Sequence, residues 1–247
     1  MLGKTIGAFE SDIPRPSSNA SRSWMNGTVT IAGWGQPHDA LRMVAPDAMH
    51  IDYASTAGIE QAFAVIAQQA REAHTVIGWS QGGQLAVRAI AQGLIAPERL
   101  VLIAAPFQFV ENDSLKLGMN RDAFKQFRDS FQTNSRRALR KFSALVSYGD
   151  ARRDEVAALL GEPNPDCDWL PWLDELSHFS AQSLDFSGFP PTMLLHGLRD
   201  VVVHPDQSRA YAERIPDAAL ELWPQAAHAP HLHDLERFKH WLSGQAA

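Results

Sequence analysis

Six short apolar runs recur along the chain, at residues 29–31, 49–53, 75–77, 100–104, 192–195 and 220–223. They mostly lack the polar alternation of a half-exposed strand, so they read as strands inside a sheet covered on both faces. Helical periodicity fills the intervals. Residues 59–70 place Ile59, Phe63, Ile66 and Ala70 on one face, and residues 84–90 do the same with Leu85, Ala86, Ala89 and Ile90. Strands alternating with helices predict an α/β fold with a doubly wound, mostly parallel sheet.

The alternation stops between residues 107 and 189. Helical patterns take over there, marked by Phe124, Phe127 and Phe131 and then by Leu139, Phe142, Leu145 and Val146. An insertion of this size predicts a helical lid over the C-terminal edge of the sheet, where α/β proteins bind ligands. The expected organisation is a leader over residues 1–28, rich in Ser, Asn, Pro and Gly, a core from 29–106 and 190–247, and a lid from 107–189.

With 247 residues and 45% hydrophobic content, the chain suffices for one α/β domain with an insertion. A net charge of −6 argues against a nucleic-acid binder. The single cysteine, Cys167, rules out an intramolecular disulfide and supplies no metal cluster. The first residues lack the apolar core of a signal peptide, and no apolar run is long enough to span a bilayer. A cytoplasmic, monomeric protein without cofactor or metal is the expectation.

The chemistry concentrates at Gly78-Trp79-Ser80-Gln81-Gly82. A serine hydroxyl needs exposure, a base and oxyanion donors to act as a nucleophile at neutral pH. A G-x-S-x-G string between a strand and a helix predicts a sharp turn that presents Ser80. Small flanking residues are required because the turn brings backbone too close for a Cβ. In chain order an acid and then a base should follow after later strands, and Asp200 and His228 fit those places. His204, His231 and His233 are rival bases, and Asp206 is a rival acid. His228, His231, His233 and Asp234 also have a spacing that could suggest metal, without the H-E-x-x-H pattern that would support it. The backbone N–H groups of Gln81 and Trp34 are the expected oxyanion donors.

Charge is uneven. Residues 116–153 hold ten basic side chains against three acidic ones, although the chain as a whole is acidic. Arg136 with Arg140 and Arg137 with Lys141 are like-charge pairs at i,i+4, which cost helix stability unless an anion relieves them. The pattern fits either an acidic partner above the site or a solvated helical face.

Taken together, Gly33-Trp34-Gly35, Gly78-Trp79-Ser80, the basic run from Arg137 through Lys141 to Phe142, His196-Gly197-x-x-Asp200 and Ala226-Ala227-His228-Ala229-Pro230 resemble BioH-type esterases of biotin synthesis. The resemblance implies an α/β-hydrolase fold and hydrolysis of the methyl ester of pimeloyl-acyl carrier protein. It implies Ser80, Asp200 and His228 as the triad, Trp34 and Gln81 at the oxyanion, and Trp34, Trp79 and Phe142 along the acyl channel. It also implies that Arg136, Arg137, Arg140, Lys141, Arg152 and Arg153 meet the acyl carrier protein. Ala32 differs from the His that commonly precedes Gly-Trp in this family, and residues 52–56 replace its usual glycine-rich loop. A general small-ester carboxylesterase, a C–C bond hydrolase and a non-catalytic binder of an acidic partner are the alternative readings.

Overall fold

The computed structural model describes residues 27–164 and 166–243, so the expected leader lies almost wholly outside the described residues. Six strands form one sheet: β1 (Thr28–Ile31), β2 (Met49–Ile51), β3 (Thr75–Trp79), β4 (Arg99–Ile103), β5 (Thr192–Gly197) and β6 (Ala218–Trp223). Their order is β2-β1-β3-β4-β5-β6, and every pairing is parallel. The central strands β1, β3 and β4 are buried almost throughout, which is why they read as unbroken apolar runs. β2 ends earlier than its apolar run, leaving Asp52 and Tyr53 in the following loop. β5 runs two residues longer than its run and carries the buried His196 and Gly197.

Helices α1 (Asp39–Arg42), α2 (Ile59–Gln69) and α3 (Gln81–Ala91) connect the first strands. Between β4 and β5 come α4 (Arg121–Thr133), α5 (Ser135–Val146), α6 (Arg153–Leu160), α7 (Leu170–His178) and a 3-10 turn (Ala181–Ser183). The chain closes with α8 (Asp206–Ala212), α9 (Pro230–His233) and α10 (Leu235–Leu242). Asn120 and Asn134 cap α4 and α5, accepting from the amides of Asp122 and Arg137 at 2.9 and 3.0 Å.

From β1 the chain steps outward to β2, then returns across β1 to β3. The switch point therefore lies between the C-terminal ends of β1 and β3, the crevice where open α/β sheets bind ligands. The 32–35 loop and Ser80 both emerge there. α3 shows how the helical segment is seated. Its apolar stripe of Leu85, Ala86 and Ala89 is buried, while Gln81, Gln84 and Arg88 reach α7. Gln81 and Gln84 donate to the carbonyls of Trp172 and Leu176 at 2.6 and 3.4 Å, and Arg88 pairs with Glu175 at 3.1 Å.

Candidate active site

Ser80 sits on the turn between β3 and α3 with φ 52° and ψ −120°, a conformation a residue with a side chain rarely adopts. Holding such a residue there costs on the order of 1–3 kcal/mol, so the surroundings must enforce it. The Ser80 amide donates to Ile103 O at 2.8 Å, and its carbonyl accepts from Gly83 and Gln84 at 3.0 and 3.1 Å. A Cβ at Gly82 would fall 2.0 Å from Ile31 O, and one at Gly78 would fall 2.4 Å from the Gly83 Cα. Only glycine lets these backbones meet. Ser80 itself is 2% exposed, not open to solvent as the sequence reading expects, and Gly33 of the loop after β1 packs against it.

The acid and base come from the loops after β5 and β6. Asp200 Oδ2 accepts from His228 Nδ1 at 2.7 Å, with both side chains fully buried. Asp200 Oδ1 accepts the amides of Val202 and Val203 at 2.7 and 2.9 Å. Burial alone would raise the Asp200 pKa. The charge of His228, with hydrogen bonds from His196 and His228, outweighs it and holds the carboxyl well below the usual range. With its Nδ1 proton committed to Asp200, His228 presents Nε2 as an acceptor. That atom is buried and has no partner among the described residues. Trp79, one residue before Ser80, donates Nε1–H to His228 O at 2.9 Å and so ties the base to the nucleophile turn.

The rivals are placed elsewhere. Asp206 and His204 pair with each other at 3.3 Å on the surface. His231 packs edge-on against Trp79, with ring centres 4.7 Å apart, and His233 binds Asp150 at 2.7 Å, so the three histidines of this stretch do not converge.

At the oxyanion position, Gln81 opens α3, and its amide is one of the donors a helix leaves without an internal partner. The Trp34 amide has no backbone acceptor among the described residues. The Gln81 side chain is held from both sides: Tyr53 donates to Oε1 at 3.0 Å, and Nε2 donates to Trp172 O. Burial pushes the Tyr53 phenol well above its ordinary pKa, so it remains a donor. The Trp34 ring meets Phe127, Phe131, Phe142 and Trp169 at 4.9–6.0 Å, and its Nε1 donates to Trp169 O at 2.8 Å. Aromatic pairs of this kind contribute about 0.5–1.5 kcal/mol each beyond burial, which fastens the β1 loop to the helical segment. Trp34 and Phe142, both expected along an acyl channel, pack edge to face. Trp79 does not join them, since its ring faces His228 and His231.

A family model described as the alpha/beta hydrolase family matches residues 21–240. The chain belongs to the alpha/beta hydrolase family. A pimeloyl-[acyl-carrier protein] methyl ester esterase of Nitrosomonas europaea is 27% identical to this hydrolase over 186 residues, 73% of this chain and 74% of the relative. Esterases of the same name from Chromobacterium violaceum and Aromatoleum aromaticum are 32% and 31% identical. The first match covers 64% of this chain and 63% of the relative, under two thirds of its length, and the second covers 64% and 67%. Among solved structures, an esterase from Exiguobacterium antarcticum superposes with a TM-score of 0.71 at 17% identity, covering 88% of this chain and 90% of the other. A bromoperoxidase from Bacillus anthracis gives 0.73 at 17% identity over 87% and 90%. At such identity these two carry the fold alone.

The cations of the hydrolase divide into two groups. Arg136, Arg137, Arg140 and Lys141 have no ion-pair partner among the described residues, and Arg136 and Arg137 lie in the first turn of α5, where the helix dipole disfavours positive charge. Arg152 is already engaged, by Glu155 and by His233 O at 2.7 Å, and Arg153 lies 5.8 Å from the Tyr148 ring centre. Of the six cations expected to meet the carrier, four thus have no ion-pair partner among the described residues, while a neighbouring carboxylate pairs with Arg152 and an aromatic ring lies near Arg153.

Three residues went unassigned in the sequence. His196 Nε2 lies 3.0 Å from Asp200 Oδ2 and 2.9 Å from Val203 O, so its proton belongs on Nε2, and Ser208 Oγ is 2.7 Å from Nδ1. Its i,i+4 spacing from Asp200 was the available signal. Asp150 accepts from Ala227 N, Arg152 N and His233 Nδ1 at 2.9, 2.7 and 2.7 Å, pinning the base loop to the end of α5. Gln36 is buried beside the β1 loop. Neither Asp150 nor Gln36 has a motif around it.

Proposed function

We propose that this hydrolase is a serine carboxylesterase in which Ser80, His228 and Asp200 form the triad, and that its substrate is the methyl ester of pimeloyl-acyl carrier protein. The observation that carries the reading is the buried 2.7 Å Asp200–His228 pair, which leaves Nε2 unpartnered next to the strained Ser80 turn. His228 Nε2 takes the Ser80 proton as Oγ attacks the ester carbonyl, and Asp200 stabilises the resulting imidazolium. The Trp34 and Gln81 amides receive the oxyanion. The tetrahedral intermediate collapses as His228 returns the proton to the methoxide, releasing methanol and leaving an acyl-enzyme. Water, deprotonated by His228, then releases the free acid still attached to its carrier. Replacing Ser80 with Ala should lower kcat by a factor on the order of 10⁴ or more. A fluorophosphonate probe should label the wild type at Ser80, and failure to label folded protein overturns the triad.

The carrier half of the proposal draws on the names of the relatives and on α5. Two of the four unpaired cations, Arg137 and Lys141, line a groove of about 360 Å³ between α4 and α5 together with Asp129, whose charge Lys125 already meets, and this cationic edge suits an acidic carrier and its phosphate. Arg137→Glu with Arg140→Glu should reduce kcat/KM for the carrier-bound ester about tenfold or more while leaving a small free methyl ester within about twofold. An equal loss on both esters would instead favour the reading as a general small-ester carboxylesterase.

A further inference from the structure

Asp200 is met by two imidazoles, and both arrive at the same oxygen. His228 Nδ1 lies 2.7 Å and His196 Nε2 lies 3.0 Å from Oδ2, while the amides of Val202 and Val203 occupy Oδ1. An ionised carboxylate offers about four lone-pair sites, so this acceptor is full. His196 belongs to β5, the strand that leads into the acid loop, and its side chain is fully buried. Its Nε2 also lies 2.9 Å from Val203 O, a carbonyl that can only accept, which puts the proton on that nitrogen. Nδ1 then accepts from the hydroxyl of the buried Ser208 on α8 at 2.7 Å, and this bond fixes the tautomer. A second proton on His196 would set two imidazolium ions on one buried carboxylate whenever His228 is charged, so the neutral form is the one that fits.

Two donors on one oxygen compete. A hydrogen bond to a carboxylate stabilises its charge and makes it a weaker partner for the next donor. The N–H of His196 thus draws on the charge that Asp200 turns toward His228, and it weakens the hold of Asp200 on the imidazolium. An imidazolium held less tightly gives its proton to the leaving group more readily. The other titratable groups nearby act from elsewhere. His231, from α9, is buried with its pKa lowered to about 3 and is neutral through the working range. Asp150, from the loop after α5, accepts from the Ala227 amide and from His233, not from the His228 ring.

Resting on the reading of Ser80, His228 and Asp200 as a triad, we propose that His196 is a positioning residue for the reaction. Fixed by Ser208, it occupies the second lone pair of Asp200 Oδ2, moderates the pull of the acid on the base and so sets the pH at which the base becomes active.

The test is the pH dependence of kcat/KM for methyl butanoate in wild type, His196→Phe and His196→Gln. Phenylalanine keeps a ring and removes the donor, whereas glutamine carries an N–H at the same number of bonds from Cα. In His196→Phe the base is pulled harder by Asp200 and holds its proton to higher pH. The acidic limb of the profile should move up by about half to one pH unit, making the loss about three- to tenfold greater at the foot of the limb than on its plateau. His196→Gln should return the limb close to its wild-type position. His196→Asn, whose amide ends one bond short of Asp200, takes the place of the phenylalanine variant if that one does not fold. A limb that stays in place or moves down in the folded variant without the donor is the mark of a merely structural residue and overturns the proposal. A limb displaced as far in His196→Gln as in His196→Phe overturns it too. Both results leave the triad standing where the fluorophosphonate probe labels Ser80 in wild type. A wild type that the probe does not label and that does not hydrolyse methyl butanoate overturns the triad, and the role of His196 with it.

Discussion

On the β5–β6 side of Ser80, Asp200 uses both oxygens, accepting from two backbone amides and two imidazoles, while Asp150 accepts from two amides and a third imidazole. On the β1–β2 side, Gln36 Nε2, His38 Nδ1 and His50 Nε2 are buried and unpartnered, and burial, with the charges of Arg42 and His38, lowers the His50 pKa to about 4. The two flanks differ in how completely their polar groups are satisfied within the protein. A flank that must hold a proton relay in one geometry meets its own hydrogen bonds, since a half-satisfied network would let the imidazole turn. The flank that carries the Asp200–His228 pair is the one whose buried carboxylates are saturated with donors, whereas the β1–β2 flank keeps buried polar groups without partners among the described residues.

The sharpest way to break this comparison is at Asp150. Asp150→Ala leaves the Ala227 amide, the Arg152 amide and the His233 ring without their shared acceptor, all next to the base. Losing one partner of a buried charged network typically costs about 3–5 kcal/mol. We expect about 3 kcal/mol lower stability by urea unfolding. A fall in kcat of tenfold or more should accompany it, because a small displacement of His228 disrupts proton transfer. Unchanged stability and kcat would show that the bonds of this flank are incidental.

Much of this architecture was legible in the sequence, and the boundary of legibility is physical. The inner strands were foreseen because a strand buried on both faces leaves a continuous apolar run, as at 75–77 and 100–104, and the half-exposed edge strands β2 and β6 were foreseen from shorter apolar stretches. Asp200 and His228 were legible because the strand–turn–helix around Ser80 fixes the order in which acid and base must follow. The occlusion of Ser80 was not, since it depends on how closely the loop after β1 packs on the nucleophile turn, a contact made across more than forty residues. The orientation of Trp79 toward His228 is set by one tertiary hydrogen bond. The pocket between the loops after β1 and β2 was hidden for the same reason. Gln36, Arg42 and Asp52 share no periodicity, and only the β1–β2 pairing brings their loops together. The charge of Arg152 counted toward a partner in the sequence, but Glu155 lies one helical turn away and takes it.

His231 puts the comparison to a finer test, because it lies on the satisfied flank and is itself unsatisfied. Both ring nitrogens are buried without partners among the described residues, and the ring packs against Trp79 and Phe238. Its unmet bonds are a cost to stability that nothing among the described residues offsets. Burial, and then the charge of His228, lowers its pKa from 6.5 to about 3. Between those two values the unfolded chain binds a proton that the folded protein does not, so stability is complete above about pH 6.5 and is lost as pH falls toward 3. At pH 5 the penalty is about 2 kcal/mol, since each unit of pKa difference traversed is worth about 1.4 kcal/mol. His231→Phe keeps the aromatic packing and removes the titration. The variant should be at least as stable as wild type at pH 7.5 and about 2 kcal/mol more stable at pH 5, read from urea unfolding at both values. A gain that is the same at both pH values would mean that the wild-type ring is already protonated in the fold, with an acceptor of its own. In that case His228 Nε2 would be the one buried ring nitrogen of the β5–β6 flank without a partner among the described residues.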